Sequence, residues 1–142
     1  MLEVLYEDNH LIAINKKSGD IVQGDKTGDT PLSDFVKAYI KKKYKKPGEV
    51  FLGTIHRLDR PTSGIVLYAK TSKALSRMNE QFRNKKVKKI YWAVVDKPTP
   101  NNSGTLENYL QKNQKQNKSY VAKEGNGKHA ILDYKLLKKL NN

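Results

Sequence analysis

The sequence predicts a mixed α/β fold of the α+β kind: a largely antiparallel sheet with two helices packed against it. Three observations carry that expectation. Short runs rich in Val, Ile and Leu come in hairpin-like pairs, beginning with residues 2–6 and 11–15. Two segments, around 30–46 and 71–86, hold apolar residues at helical spacing. The strands do not alternate regularly with the helices, as they would in a parallel, doubly wound sheet. A chain of 142 residues buries roughly 68–70% of its unfolded surface, so a single core is expected.

Taken in order, residues 2–6 and 11–15 flank the turn-like Glu7-Asp8-Asn9-His10 and read as a hairpin. Lys16-Lys17-Ser18-Gly19-Asp20-Ile21-Val22 follows as a turn. Gly24-Asp25-Lys26-Thr27-Gly28 reads as a loop, because the G-x-x-x-x-G-K-[ST] spacing of a phosphate loop is absent. Thr30 before Pro31 starts a helix: threonine caps the free amides and proline is tolerated in a first turn. Leu32, Phe35, Val36, Tyr39 and Ile40 form its apolar stripe. The helix runs into Lys41-Lys42-Lys43-Tyr44-Lys45-Lys46 and stops before Pro47-Gly48. Those lysines either complement the helix dipole, at about 0.3–1 kcal/mol each, or meet a polyanion.

Residues 65–68 make a nearly all-apolar run, as in a strand buried on both faces. Thr71 or Ser72 caps a second helix, with Ala74, Leu75, Met78 and Phe82 inward and Arg77, Glu80 and Arg83 outward. Asn84-Lys85-Lys86 ends it. Residues 88–95 read as a strand with Lys89, Tyr91, Ala93 and Val95 on one face. A Pro- and Asn-rich loop covers 96–104, after which 105–110 and 118–123 pair across a polar connection. Alternation at Ala130, Leu132, Tyr134 and Leu136 marks a last strand over 130–140, followed by the turn dipeptide Asn141-Asn142.

Composition narrows the chemistry. No segment approaches the ~20 consecutive apolar residues of a membrane helix, and Met1-Leu2-Glu3-Val4 lacks the basic flank and apolar stretch of a secretory leader. A cytoplasmic protein with no membrane partner is expected. The absence of cysteine excludes disulfides, thiolate nucleophiles and cysteine-based zinc sites, and His10, His56 and His129 are too isolated to form a metal site. Twenty-eight basic against fourteen acidic residues leave a formal charge of +14, which points to a polyanion, nucleic acid first. All four arginines fall between positions 57 and 83, and arginine is the better bidentate phosphate ligand.

That stretch contains Ile55-His56-Arg57-Leu58-Asp59-Arg60-Pro61-Thr62-Ser63-Gly64-Ile65-Val66-Leu67-Tyr68-Ala69-Lys70. Asp59 lies between two arginines in a turn constrained by Pro61 and Gly64. Opposite charges within about 4–6 Å favour an ionised carboxylate, and an ionised carboxylate can act as a nucleophile. The same residues also suit an ordinary surface turn with an ion pair. Tyr91, taken alone, reads as a half-buried sheet tyrosine before it reads as a ligand contact.

The string H-R-L-D-x-x-T-S-G, followed by three apolar residues, a variable position and Ala-Lys, resembles the signature of the RluA family of RNA pseudouridine synthases. Lys16, Gly19, Ile21 and Val22 fit that family's K-P-x-G-h-x-V pattern, with Lys17 where proline is usual, and 89–95 match K-x-Y-x-A-x-V. The resemblance implies an isomerase that converts specific uridines of ribosomal or transfer RNA to pseudouridine, with no cofactor and no metal. It implies Asp59 as the catalytic carboxylate and Arg57 as the residue that fills or braces the space left by a flipped base. Tyr91 would lie against that base. Arg60 reads as a phosphate contact, Lys89 either supports the tyrosine or meets phosphate, and His56 completes the RNA-binding set.

The resemblance spans about residues 2–134 and corresponds to the first part of the family's catalytic domain, with no separate N-terminal RNA-binding domain. The downstream R-x-x-T-G-R-x-H-Q-I-R motif, whose basic residue contacts the aspartate, does not occur. The implied fold is therefore incomplete at its C-terminus, with an open strand edge prone to self-pairing. The alternative reading is a catalytically inactive RNA-binding fragment. A lysine-rich ribosomal component would explain the charge but not the motif.

Overall fold

The computed structural model describes residues 2–140 and divides into two compact units, Met1–Ile90 and Tyr91–Asn142. The turn dipeptide Asn141-Asn142 lies outside the described residues.

The first unit is built on β1 (Val4–Glu7), β2 (Leu11–Lys16), β3 (Gly53–Thr54) and β4 (Gly64–Ala69), ordered β1-β2-β4-β3 and antiparallel throughout. Asp8 sets the first turn: its Oδ1 accepts from the amides of His10 (2.7 Å) and Leu11 (2.6 Å). Strands β2 and β4 then pair from Leu11↔Ala69 to Lys16↔Gly64. Ile12, Ile14, Val66 and Tyr68 from these central strands close the core with Val22, Val50 and the inner face of a helix.

That helix is α1 (Leu32–Lys43), and Leu32, Val36 and Ile40 form its buried line. Two details differ from expectation. Pro31, not Thr30, is the N-cap, and no side chain caps the helix. The leading amides of Leu32 and Ser33 donate instead to the carbonyls of Ile21 (2.8 Å) and Val22 (3.2 Å), which makes a capping hydroxyl unnecessary. Phe35 is 55% exposed, because the contact follows the i, i+4 line and Phe35 falls off it. Helix α2 (Ser72–Arg83) starts as predicted, with Thr71 Oγ1 accepting from the Ala74 amide at 3.1 Å. It lies close on β3: a Cβ on Gly53 would meet Leu75 Cδ2 at 2.7 Å.

The second unit is a three-stranded antiparallel sheet of β5 (Ser103–Asn113), β6 (Lys118–Ala122) and β7 (Lys128–Lys135), ordered β6-β5-β7. The predicted pairing forms with Leu110 opposite Val121, and β5 extends to Asn113 through residues read as a polar connection. Strand β7 is shorter than the 130–140 run, ending at Lys135. No described residue of this unit is fully buried, so the core expected of the whole chain comes from the first unit.

Residues 88–95 form no strand, and the single expected sheet is two separate sheets. Lys89 and Tyr91 therefore do not share a strand face. Ile90, Trp92 and Val94 are 72%, 87% and 83% exposed. The alternating pattern supplies β-propensity, but a strand also needs a partner for its amides, and among the described residues none pairs with this stretch.

Candidate active site

The Asp59 loop is shaped by a group that lies beneath it. Lys16 ends β2 on the face of Ile12 and Ile14, where a lysine would ordinarily be excluded, and it is 0% exposed. Its Nζ donates to the carbonyls of Thr62 (2.6 Å), Lys17 (3.1 Å), Arg60 (3.1 Å) and Asp59 (3.2 Å). Three protons serve four acceptors, so one is shared. Burial pulls the Lys16 pKa below its usual value, and the negative charges of Asp20 and Asp59 partly oppose this. The Gly19 amide donates to the Arg60 carbonyl at 2.9 Å and the Thr62 amide closes the turn on the Asp59 carbonyl at 3.0 Å. Gly64, at φ +137°, turns the chain into β4 with a backbone that favours glycine.

The opposite wall is fixed as firmly. Buried Tyr68 donates its hydroxyl to the Val22 carbonyl at 2.7 Å, while the first amides of α1 hold Ile21 and Val22 from the other side. Between the walls lies a cleft of about 340 Å³, lined by Val22, Gln23, Asp25, Arg57, Asp59 and Arg60 among others. That is at the small end of the ~300–1,000 Å³ range of ligand pockets.

The structure brings Arg57, Asp59 and Arg60 together in this cleft, in an arrangement that differs from the predicted clasp of two arginines on one carboxylate. Arg60 turns to Asp29, Nη2 to Oδ2 at 2.8 Å. Among the described residues neither Arg57 nor Arg60 forms an ion pair with Asp59, and the Asp59 carboxylate accepts no hydrogen bond.

His56 is turned into the frame. Its Nε2 accepts the Leu67 amide at 3.1 Å and its ring stacks on Phe82 at 5.3 Å. A ring nitrogen that accepts is unprotonated, and burial, with the charge of Lys89 adding to it, holds the His56 pKa below the usual value. Lys89 is exposed at the end of the first unit. Tyr91 opens the second unit outside any strand or helix and is 59% exposed.

Sequence reasoning matched Lys16 to a pattern but did not see its role as the brace, and it missed Asp29, Tyr68 and the wall from Gln23 to Asp25. Lys16 had one legible signal: period-two alternation places it in line with Ile12 and Ile14. A second cleft, of about 420 Å³, lies on β5 and β6 beside Lys112, Tyr120 and Val121, and has no carboxylate or histidine in its lining. Among the described residues no cluster of three or more His, Cys, Asp or Glu could hold a metal, and no helix is long and apolar enough to cross a membrane.

The family to which this frame belongs comes from comparison with known proteins. Residues 10–142 match the family described as RNA pseudouridylate synthase, and the chain belongs to that family. It is 37% identical over 139 residues to ribosomal large subunit pseudouridine synthase C of Buchnera aphidicola subsp. Acyrthosiphon pisum (strain APS), covering 97% of this chain and 42% of that protein. With ribosomal large subunit pseudouridine synthase D of Borreliella burgdorferi it shares 29% identity over 139 residues, covering 96% and 43%. The solved structure of human RNA Pseudouridylate Synthase Domain Containing 4 superposes with a TM-score of 0.77 at 25% identity, over 97% of this chain and 54% of that one. The RluA-type resemblance read from the motif is thus borne out, and the chain spans about two-fifths of the length of the curated relatives it matches.

Proposed function

We propose that this chain carries the aspartate half of an RNA pseudouridine synthase site and that Asp59 is its catalytic carboxylate. The observation that carries the reading is the Asp59 side chain itself, without a protein partner among the described residues, on a loop whose backbone is fixed by the buried Lys16 ammonium. The reaction exchanges the N1–C1′ glycosidic bond of uridine for a C5–C1′ bond and releases the C5 proton. It needs no net oxidation or reduction. A carboxylate near sugar and base is the reactive group it calls for, and the cleft supplies one.

The target base must leave its stack at a cost of a few kcal/mol. Arg57, which lines the cleft with Asp59, fills or braces the vacated space in this reading. Arg60 and Lys89 serve phosphate, and Tyr91 offers a ring against the base, where stacking is worth roughly 1–3 kcal/mol. His56 acts on RNA through the frame it holds. The names of the relatives favour ribosomal RNA over transfer RNA as substrate, and hence the cytoplasm as the place of action.

The test is tritium release from RNA tritiated at uridine C5, comparing the chain with its Asp59→Ala variant on unmodified ribosomal and transfer RNA. Release from ribosomal RNA that the variant abolishes is the expected result. Binding without release by the folded chain would favour the second reading, an RNA-binding portion that needs the rest of a longer protein. The share of the relatives that this chain spans is what keeps that reading in view.

A further inference from the structure

Seven residues, Arg83-Asn84-Lys85-Lys86-Val87-Lys88-Lys89, hold five cations and no anion. All five charged side chains are exposed. Among the described residues none of them is in an ion pair, whereas Lys43 and Lys70 are paired with Glu7 and Arg60 with Asp29. The charge here is unspent.

The backbone adds an independent observation. Helix α2 closes with the Lys86 amide on the Gln81 carbonyl (2.9 Å) and the Lys85 amide on the Phe82 carbonyl (3.1 Å), the pair of bonds that glycine usually completes. Lys85 holds the left-handed position, at φ +54°. A side chain there is disfavoured relative to glycine, so the turn itself does not account for a lysine.

Position supplies the third element. Phe82, in the last turn of α2, stacks on His56 at 5.3 Å, and His56 belongs to the loop that carries Asp59. The charge of Lys89 is felt at the His56 ring. The basic turn is therefore anchored beside the motif loop.

We propose that the turn from Arg83 to Lys89 is a phosphate-binding surface that grips the RNA backbone next to the nucleotide entering the Asp59 cleft. This rests on the pseudouridine synthase reading and adds to it the place where the substrate strand is held. A flipped nucleotide stays tied to its neighbours by the phosphates on either side, and unpaired cations beside the cleft meet those phosphates without displacing a protein partner. Helix α1 provides a natural comparison. It ends in the same geometry, with Lys45 at φ +49°, but its 12 residues carry that end about 18 Å from the first turn bordering the cleft.

The experiment measures binding of a fluorescein-labelled, uridine-containing RNA stem-loop across a salt series. One variant combines Lys85→Gly, Lys86→Ala and Lys88→Ala; the charge-matched control combines Lys41→Ala, Lys42→Ala and Lys45→Gly. Each neutralised phosphate contact contributes roughly 0.7–0.9 to the slope of log affinity against log salt, so the α2 variant is expected to lose about 2–3 in slope. Its affinity at low salt should fall at least tenfold, with the control changing less than half as much. Lys85→Gly alone should raise Tm while weakening binding, which separates lost contacts from lost folding. Equal weakening by the two triple variants, or an α2 variant that binds like the parent, would overturn the proposal. A parent chain that binds RNA but releases no tritium would sink the catalytic reading alone, and a parent chain that does not bind RNA would sink both.

Discussion

At the scale of single residues, the site depends on Lys16, an ammonium so buried that no substrate can touch it. Its role is to satisfy four carbonyls that would otherwise repel one another across the turn. Lys16→Met keeps the volume and removes the donor. We expect a loss of about 2–4 kcal/mol in urea unfolding, since each buried acceptor left unpaired costs about 1–3 kcal/mol and neighbouring amides can recover part. Below that variant's Tm, single-turnover tritium release should fall much more than RNA affinity, because the exposed arginines remain. Wild-type stability together with wild-type turnover would remove Lys16 from the account. That Arg57 and Asp59 share one turn was legible in the sequence because the motif is contiguous. Lys16 over the loop, and Arg60 on Asp29, were not, because strand register and loop packing create those contacts between residues far apart in the chain.

At the scale of elements, Glu7 fastens the end of β1 to α1 and to the residue after β4. Its carboxylate accepts from Lys43 Nζ (2.6 Å), Lys70 Nζ (2.7 Å), Tyr44 Oη (2.8 Å) and Tyr39 Oη (3.1 Å). Burial pushes its pKa up, but the bonds from Lys43, Lys70, Tyr44 and Tyr39 outweigh burial and bring it to about 2. The folded pKa thus lies below the unfolded value of 4.5, so the contribution is complete above pH 4.5 and is lost as pH falls from there towards 2. Glu7→Gln should cost about 2–3 kcal/mol at pH 7, as expected for hydrogen bonds to a charged group, and should flatten the acid limb of the stability curve. Asp8, held at about 2 by the Leu11 and His10 amides, acts in the same direction, so the limb is reduced and not abolished. Urea titrations at pH 7 and pH 3.5 check this, and parallel acid losses in variant and parent would count against it. Both helices and the first hairpin were legible, because spacing and turn chemistry are local. The strand over 88–95 was not: its pattern was real, but among the described residues nothing pairs with it. Thr30 lost its capping role to backbone carbonyls that only the folded chain brings near.

At the scale of the whole molecule, two opposing forces act on the second unit. Strands β6 and β7 are both edges of their sheet, and Val121, Ile131 and Leu132 are 69%, 55% and 53% exposed. Edges of that kind pair with other chains. Against this stands the net charge of +14, which repels one copy from another. Salt screens the repulsion over a Debye length of about 8–10 Å at 0.1–0.15 M and leaves the apolar contact intact. Self-association should therefore strengthen with salt, opposite in sign to RNA binding, which weakens as counterions are released. Size exclusion with light scattering is expected to show a mass that rises above the monomer with both concentration and salt. Leu132→Lys, which puts a charge on the β7 edge, should return it to the monomer. A parent chain monomeric at every concentration and salt would show that exposure of these side chains does not suffice for pairing. If mass and RNA affinity instead fell together with salt, charge would have to be the basis of both contacts.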